Sequence, residues 1–267
     1  MAVPAMNDPK AVEKQYANAN GLNVRILLHQ KYSMATENYD EWIAKHYRIL
    51  PGEKVLEVGC GTGSIWKNAQ RYLPEGASLI LTDLSEGMLE AARSAVPARQ
   101  NILYEQADLQ KLPYADHSFD LVIANMMLYH VPDLERAMGE VARVLKPEGR
   151  FICATSGENS VGNWLVDVLG AGDVRALSFT LQNGEKQLRK FFGCVEMNRR
   201  QDALRVTNVD DLAAYVLSMT SFSFVRAWPY EQLKEKLTQQ MVDGVITIPK
   251  ENGLFQCHEP IVTKNFD

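Results

Sequence analysis

The chain has 267 residues, 46% of them hydrophobic and 23% charged, with a net charge of −5 and a pI near 5.6. That is the composition of a globular domain with a sizeable core. The acidic balance excludes an extended nucleic-acid groove, which needs a basic stripe, and no apolar run is long enough to span a bilayer.

Residues 10–48 read as helical and mix Tyr16, Arg25, His29, Tyr32, Tyr39 and Trp42 with polar positions. An apolar strand follows near 53–59, carrying Val55, Leu56 and Val58, and runs into Gly59-Cys60-Gly61-Thr62-Gly63. Glycines at a strand-to-helix junction let the backbone turn sharply and approach a ligand with no Cβ in the way. The helix behind them, near 63–73, offers free N–H groups to that ligand. This pattern predicts a nucleotide-type cofactor site at the tip of the first strand. A dinucleotide site has the spacing G-x-G-x-x-G, whose third glycine would fall at Ser64. Glu57, inside the strand, would repel a pyrophosphate but suits a cofactor that carries an amine and a sulfonium. Both features argue against a nicotinamide-dependent oxidoreductase.

Strands are predicted near 78–83, 101–106, 119–125 and 149–156, and helices near 86–95 and 133–145. Such alternation implies parallel pairing with right-handed crossovers. Asp83, Asp108, Asn125 and the glycine loop then lie at the carboxyl ends of strands, where open α/β sheets bind ligands. Beyond Gly157 the pattern predicts a helix over 185–192, a strand or hairpin over 194–207, and helices over 209–219 and 230–242. Those two helices are joined by an aromatic run holding Phe222, Phe224 and Trp228, and a closing strand is expected at 254–258. The expected organisation is an N-terminal helical lid over 1–48 and an α/β domain over 49–267, with 209–243 as a helical insertion before the last strand.

Five ordered segments together resemble the class I S-adenosylmethionine-dependent methyltransferases. They are Glu57 to Gly63 in the form E-x-G-x-G-x-G, Leu79 to Ser85 with the following S-x-x-M, Tyr104 to Leu109, Ser118 to His130, and Val141 to Arg150. The resemblance spans residues 50–157 and implies a doubly wound, Rossmann-like, seven-stranded sheet that ends with an antiparallel strand. It implies S-adenosyl-L-methionine as cofactor, held by Glu57, Gly59, Cys60, Gly61, Gly63, Asp83, Leu84, Met88, Asp108, Leu109, Asn125 and Met126. In the family the acid at Asp83 takes the ribose, while Asp108 and the Leu109 backbone take the adenine. The N-terminal segment covers the methionine end, which puts Tyr32 among the cofactor residues as a positioning group. Asn125-Met126-Met127-Leu128 lacks the [DN]-P-P-[YFW] run of relatives that methylate nucleic-acid bases or glutamine, a second argument against a nucleic-acid partner.

Methyl transfer needs a base only when the acceptor is protonated at neutral pH. His130, just past the fourth strand, and His29, on the predicted lid, are the candidate catalytic residues, because imidazole titrates near neutrality. The plain alternative makes His130 a cap for the Pro132-Asp133 turn. His46, His117 and His258 read as surface or edge residues. Arg25, Arg199 or Arg205 could clamp a substrate carboxylate, although a solvated position is the ordinary reading for each. The aromatic run lines an acceptor pocket or packs a core. No C-x-x-C pair and no clustered His/Asp/Glu set occurs, so neither a disulfide framework nor a metal site is expected. The N-terminus lacks the basic start of a signal peptide, and a cytoplasmic location is expected. The expected activity is methylation of a small molecule, on oxygen by preference. A peptide carboxylate as acceptor is the first alternative, and a cofactor-binding protein without turnover the second.

Overall fold

The computed structural model describes Asn7, Val12, Tyr16, residues 20–170 and residues 177–262. Two helices, α1 (Asn20–Tyr32) and α2 (Tyr39–Tyr47), precede the first strand. Strands β1 (Lys54–Val58), β2 (Ser78–Asp83), β3 (Ile102–Gln106), β4 (Phe119–Asn125) and β5 (Leu145–Ser156) follow, then β6 (Phe192–Arg200), β7 (Ala203–Val206), β8 (Ile246–Pro249) and β9 (Asn252–Pro260). Seven of them make one sheet in the order β3-β2-β1-β4-β5-β9-β6. Strands β1 to β5 pair in parallel, and β9 runs antiparallel to both neighbours, β5 and β6. Val55, Leu56 and Val58 are all buried, as a strand covered on both faces requires.

The crossover helices are α3 (Ser64–Ala69), α4 (Glu86–Ala95) and α5 (Leu134–Val144). The helix expected over 63–73 gives way to a 3-10 turn at Gln70–Tyr72. Ser85 caps α4 by accepting from the Met88 N–H at 3.3 Å, and Asp133 caps α5 by accepting from the Arg136 N–H at 3.0 Å. Each cap satisfies a helix-end donor and contributes about 1 kcal/mol. Asp133, rather than His130, therefore makes that turn.

The N-terminal region does not behave as one lid. In α2, Ile43, Ala44 and Tyr47 are buried in the same cluster as Trp66, Leu79 and Ile123, so this helix belongs to the core of the sheet domain. In α1, by contrast, Leu28 and Tyr32 pack with Leu204, Leu212 and Ile248. Residues 1–6, 8–11, 13–15 and 17–19 of the expected lid lie outside the described residues.

The segment expected as a hairpin over 194–207 divides instead. β6 stays at the sheet edge, while β7 leaves to pair with β8. Asp202 at the corner explains the departure. Its carboxylate accepts from Ser33 Oγ at 2.7 Å and from the Met34, Ala35 and Ala203 N–H groups, and it pairs with Arg200 and Lys250 at 2.7 Å each. Burial alone would raise this carboxyl; the bonds and charges of Lys250, Ser33 and Arg200 outweigh that and hold it well below the usual range. The insertion is consequently not purely helical. It comprises the β7–β8 pair, α8 (Val209–Ser218), a 3-10 segment at Thr220–Ala227 and α9 (Tyr230–Thr238). With α1 and Val161–Leu169 (α6) it forms a cap with its own apolar cluster, set over the carboxyl ends of the strands. Gly184–Leu188 (α7) is shorter than the helix expected at 185–192. Among the described residues no helix is long and apolar enough to cross a membrane.

Candidate functional site

Between the strand tips and the cap lies a cavity of about 760 Å³, within the range of small-molecule sites. Its sheet wall starts at the glycine loop. Gly59 and Gly63 have φ of +64° and +66°, and a Cβ at Gly63 would stand 2.6 Å from Val96 Cγ2. Only glycine meets both conditions cheaply. Asp83, ending β2, accepts from the Gly61 N–H at 2.9 Å and the Ser85 N–H at 2.9 Å, which ties the loop to the second strand. Burial raises its carboxyl above the usual range.

Glu57 is buried below the loop. It accepts hydrogen bonds from the Trp66 indole and, at 2.7 Å, from Asn125 Nδ2, which also donates to Tyr47 Oη at 2.8 Å. Burial pushes its carboxyl up to about 7, against the lowering effect of those donors. Asp40, at the start of α2, and Asp108, just past β3, make four carboxylates with Glu57 and Asp83; Glu37, Glu86 and Glu251 also line the cavity. Asp108 accepts from the Gln110 N–H at 2.9 Å. Cys60, Leu84, Leu109, Asn125 and Met126 also reach the cavity. Met126 holds a left-handed φ of +54°, a strained conformation of the kind found where function over-determines the backbone.

Two expected cofactor residues do not reach the cavity. Met88 is fully buried and absent from its lining. The Ser85 cap fixes the start of α4, and the first turn carries this side chain into the interior. Tyr32 also points away, donating to Asp211 Oδ2 at 2.6 Å within the cap cluster. It shares the helical stripe of Leu28, whereas Leu22, Arg25, Ile26 and His29 form the cavity face of α1.

The two candidate histidines differ. His130 lines the cavity and shares a 2.9 Å hydrogen bond through Nε2 with the Tyr16 hydroxyl. His29 also lines it, but burial, with Lys250 and Arg25 adding to the effect, lowers its pKa to about 3. A histidine lowered in this way stays neutral and accepts a proton weakly. His46 bonds Trp42 O, His117 bonds Leu145 O, and neither they nor His258 line the cavity. Arg199 pairs with Glu251 and Arg205 is exposed, so Arg25 alone of the three candidate arginines faces the site. Of the aromatic run only Phe222 lines the cavity; Phe224 and Trp228 pack against each other at 5.8 Å.

Among the described residues six buried side-chain polar atoms have no hydrogen-bond partner, on Arg25, His29, Tyr39, Asn125, Ser221 and Asn252. All six residues line this one cavity. Each unpaired buried polar atom costs about 1–3 kcal/mol, so their convergence marks a surface shaped for polar ligands. On the sheet wall, Asn125 Oδ1, Tyr39 Oη and the four carboxylates suit a cofactor bearing an amine, a ribose and a sulfonium. Among the described residues no cluster of His, Cys, Asp and Glu is arranged to hold a metal ion.

Residues 56–153 match the family described as "Methyltransferase domain". The chain carries a class I S-adenosylmethionine-dependent methyltransferase domain. It is 39% identical over 118 residues to a demethylmenaquinone methyltransferase of Symbiobacterium thermophilum, covering 42% of this chain and 46% of that one. To a ubiquinone biosynthesis O-methyltransferase of Erwinia tasmaniensis it is 33% identical over 155 residues, 57% of this chain and 60% of the other. The chain thus spans about half the length of the curated relatives it matches. Among solved structures it resembles phospholethanolamine N-methyltransferase 2 of Haemonchus contortus, with a TM-score of 0.60 and 17% identity. That match covers 97% of this chain and 61% of the other, and shows the shared fold.

The cap half of the site has no signature in the sequence. Tyr16 and Arg25, Tyr215 and Ser221, and Lys250 come from three distant stretches of the chain, and no local spacing joins the three. The one available signal is the stripe at 22, 25, 26 and 29 on α1, which sets His29 apart from Tyr32.

Proposed function

We propose that the protein transfers a methyl group from S-adenosylmethionine to a small molecule, on an oxygen. The observation that carries this reading is the cavity itself. Its sheet wall presents four carboxylates and a glycine loop, and its cap wall faces the same space with separate polar groups. The bound cofactor supplies an activated methyl on a sulfonium with a thioether leaving group.

This chain's residues then have three tasks. Glu57, Asp83, Asp108 and Asn125, with the glycine loop and the chain at Leu84, Leu109 and Met126, hold the cofactor. The cap excludes water and aligns the acceptor, which in favourable cases lowers a barrier by about 7–11 kcal/mol. His130 takes the acceptor's proton, with Tyr16 orienting the ring through its 2.9 Å bond to Nε2. A base beside the cavity serves a hydroxyl or a protonated amine, whereas a carboxylate or thiolate would not need one, and the hydroxyl is the acceptor proposed. A cytoplasmic location accompanies this reading, supported by four cysteines that remain free thiols.

The test is turnover of S-adenosylmethionine by the intact protein with a panel of phenols, amines, thiols, carboxylic acids and peptides. Methylation of phenols, with kcat falling about a hundredfold or more in His130→Gln and cofactor affinity unchanged, is the expected result. Binding of S-adenosylhomocysteine without turnover on any acceptor would instead favour a cofactor-binding protein.

A further inference from the structure

The cap wall holds a buried charge. Arg25 is 8% exposed, in the middle of α1. Its Nη1 donates to the Ser218 carbonyl at 3.0 Å, and its guanidinium lies over the Tyr16 ring at 5.5 Å. Nη2 is buried with no partner, and Arg25 forms no ion pair among the described residues. Buried arginines are ordinarily paired, because an isolated charge in a low-dielectric site is costly.

The surroundings of Arg25 show which part of the cavity it serves. Among the described residues Tyr16, Tyr129, Tyr215 and His29 are titratable groups near it. Tyr215 meets His29 edge-on with ring centroids 5.6 Å apart, and Tyr16 meets His130 in the same way at 5.2 Å. The groups around Glu57 are different: Trp66, Asn125, Asp40 and Asp83. Arg25 therefore stands where the two sides of the cavity meet: the Tyr16 ring beneath it meets His130, while the Tyr16 carbonyl accepts from Ser85 Oγ at 2.9 Å, next to Asp83. Two further polar atoms at the cap wall are unpaired and buried, His29 Nδ1 and Ser221 Oγ. A second positive charge stands nearby, since Arg200 and Lys250 share the single carboxylate of Asp202 and Lys250 lines the cavity.

We infer that the acceptor is an aromatic acid, whose carboxylate is held by Arg25 and whose ring lies among Tyr16, Tyr129, Tyr215 and Phe222. The inference rests on the methyltransferase reading and names the substrate class for that same site. A guanidinium with a free Nη2 and a hydroxyl at Ser221 supply charge-assisted bonds for a carboxylate, and tyrosine and phenylalanine faces supply stacking surface. The carboxylate is the anchor; a separate hydroxyl on the ring, near His130, receives the methyl group. The proton of that hydroxyl passes to His130 as the oxygen–carbon bond forms and the carbon–sulfur bond breaks.

The test uses the intact protein saturated with S-adenosylhomocysteine, and benzoate and benzamide as probes that share a ring and differ in charge. Calorimetry should find benzoate bound at least tenfold more tightly than benzamide in the unmodified protein. Arg25→Met should abolish that preference while S-adenosylhomocysteine binds within twofold of its original affinity, and Arg25→Lys should keep part of it. Equal binding of the two probes to the unmodified protein, or binding of neither, overturns the proposal with the methyltransferase reading still standing. The rival source of an anion is the cofactor's own methionine carboxylate. If Arg25→Met weakens S-adenosylhomocysteine tenfold or more but leaves methylthioadenosine, which lacks that carboxylate, unaffected, Arg25 serves the cofactor and the inference fails. If the unmodified protein binds no S-adenosylhomocysteine at all, it is the methyltransferase reading that fails, and the inference with it.

Discussion

Four carboxylates, Glu57, Asp83, Asp108 and Asp40, line the cavity near the glycine loop, whereas the cap brings Arg25 and Lys250 to it, the latter beside Glu251. The sheet wall is built from residues at strand ends and loops close to them in sequence, and its backbone is fixed by a parallel ladder. The cap wall is assembled from α1, α8, the segment after it and the turn before β9, with the Asp202 corner joining α1 to the insertion. Carboxylates gather around the glycine loop, and the cap contributes two cations, with Glu251 beside Lys250. One cavity is thus specified by two unrelated devices, a contiguous motif on one side and a long-range assembly on the other.

The comparison is most severely tested by removing the corner of the cap. The Asp202 side chain is fully buried, and the side chains of Arg200 and Lys250 are 5% and 9% exposed. Asp202→Ala leaves two buried cations uncompensated, and breaking a buried pair in this way costs about 3–5 kcal/mol. Urea denaturation should show that loss. Hydrogen exchange should locate it in α1, β7 and β8, with S-adenosylhomocysteine still bound at the sheet wall. A loss spread evenly over β1 to β5, together with loss of cofactor binding, would mean that the walls form one cooperative unit.

Opposite pKa shifts on the two walls sharpen the contrast. Glu57 is raised to about 7 and His29 is lowered to about 3. A carboxyl raised by folding holds its proton longer in the native state. Its contribution is therefore full below the unfolded value near 4.5 and is lost as pH rises through about 7. A lowered histidine acts in the other direction: stability is lost as pH falls from about 6.5 toward 3. Glu57→Gln, which mimics the protonated acid, should gain on the unmodified protein by about 3 kcal/mol between pH 4.5 and pH 8, since each tenfold difference in proton affinity is worth about 1.36 kcal/mol. Denaturation at stepped pH measures this. A cationic cofactor favours the ionised acid, so binding S-adenosylmethionine near pH 6.5 should release a proton, read by calorimetry in buffers of different ionisation heat. Parallel pH profiles for the two proteins would remove Glu57 from its assigned place.

Asp83 gives a smaller effect on the same wall. Its carboxylate already holds the Gly61 and Ser85 N–H groups, and it is assigned a ribose diol as well. Asp83→Ala should weaken S-adenosylhomocysteine by about 1.5–3 kcal/mol, the scale of hydrogen bonds to a charged group. Benzoate affinity at the cap wall should stay the same. An equal loss of both ligands would contradict a division of the cavity into two halves.

The difference between the walls also explains what is legible in the sequence. The strand alternation and the glycine spacing depend on neighbours in the chain, so the parallel sheet and the placement of Asp83, Asp108 and the glycine loop at strand ends follow from local pattern, while the antiparallel strand near 254–258 follows from the family resemblance. Met88 misleads because the family's S-x-x-M spacing marks a helix start; which side of the first turn faces the ligand is decided by the Ser85 cap. Residues 39–47 read as lid because their polar and aromatic mixture resembles a surface helix. In the fold, Tyr47 accepts a bond from Asn125, and its backbone carbonyl accepts from Arg150 at 2.9 Å. The pairing of β7 with β8 is illegible for a different reason. Both strands are short, and what removes β7 from the sheet is an ion cluster contributed by positions 33, 200, 202 and 250.

The smallest predicted effect separates the cavity from the packing behind it. Tyr32 and His29 lie three residues apart on α1, yet only His29 reaches the cavity. Tyr32 is 6% exposed, and its hydroxyl donates to Asp211 Oδ2 at 2.6 Å. Tyr32→Phe keeps the ring among Leu204, Leu212 and Ile248 and removes one hydrogen bond to a partly solvated carboxylate. The expected cost is about 1 kcal/mol of stability, seen as a lower urea midpoint with an unchanged slope. Affinity for S-adenosylhomocysteine, and the preference for benzoate over benzamide, should not change. If Tyr32→Phe weakens either ligand while the midpoint stays fixed, the tyrosine acts on the site after all, and the face of α1 that meets the ligands is wider than the stripe at Leu22, Arg25 and His29.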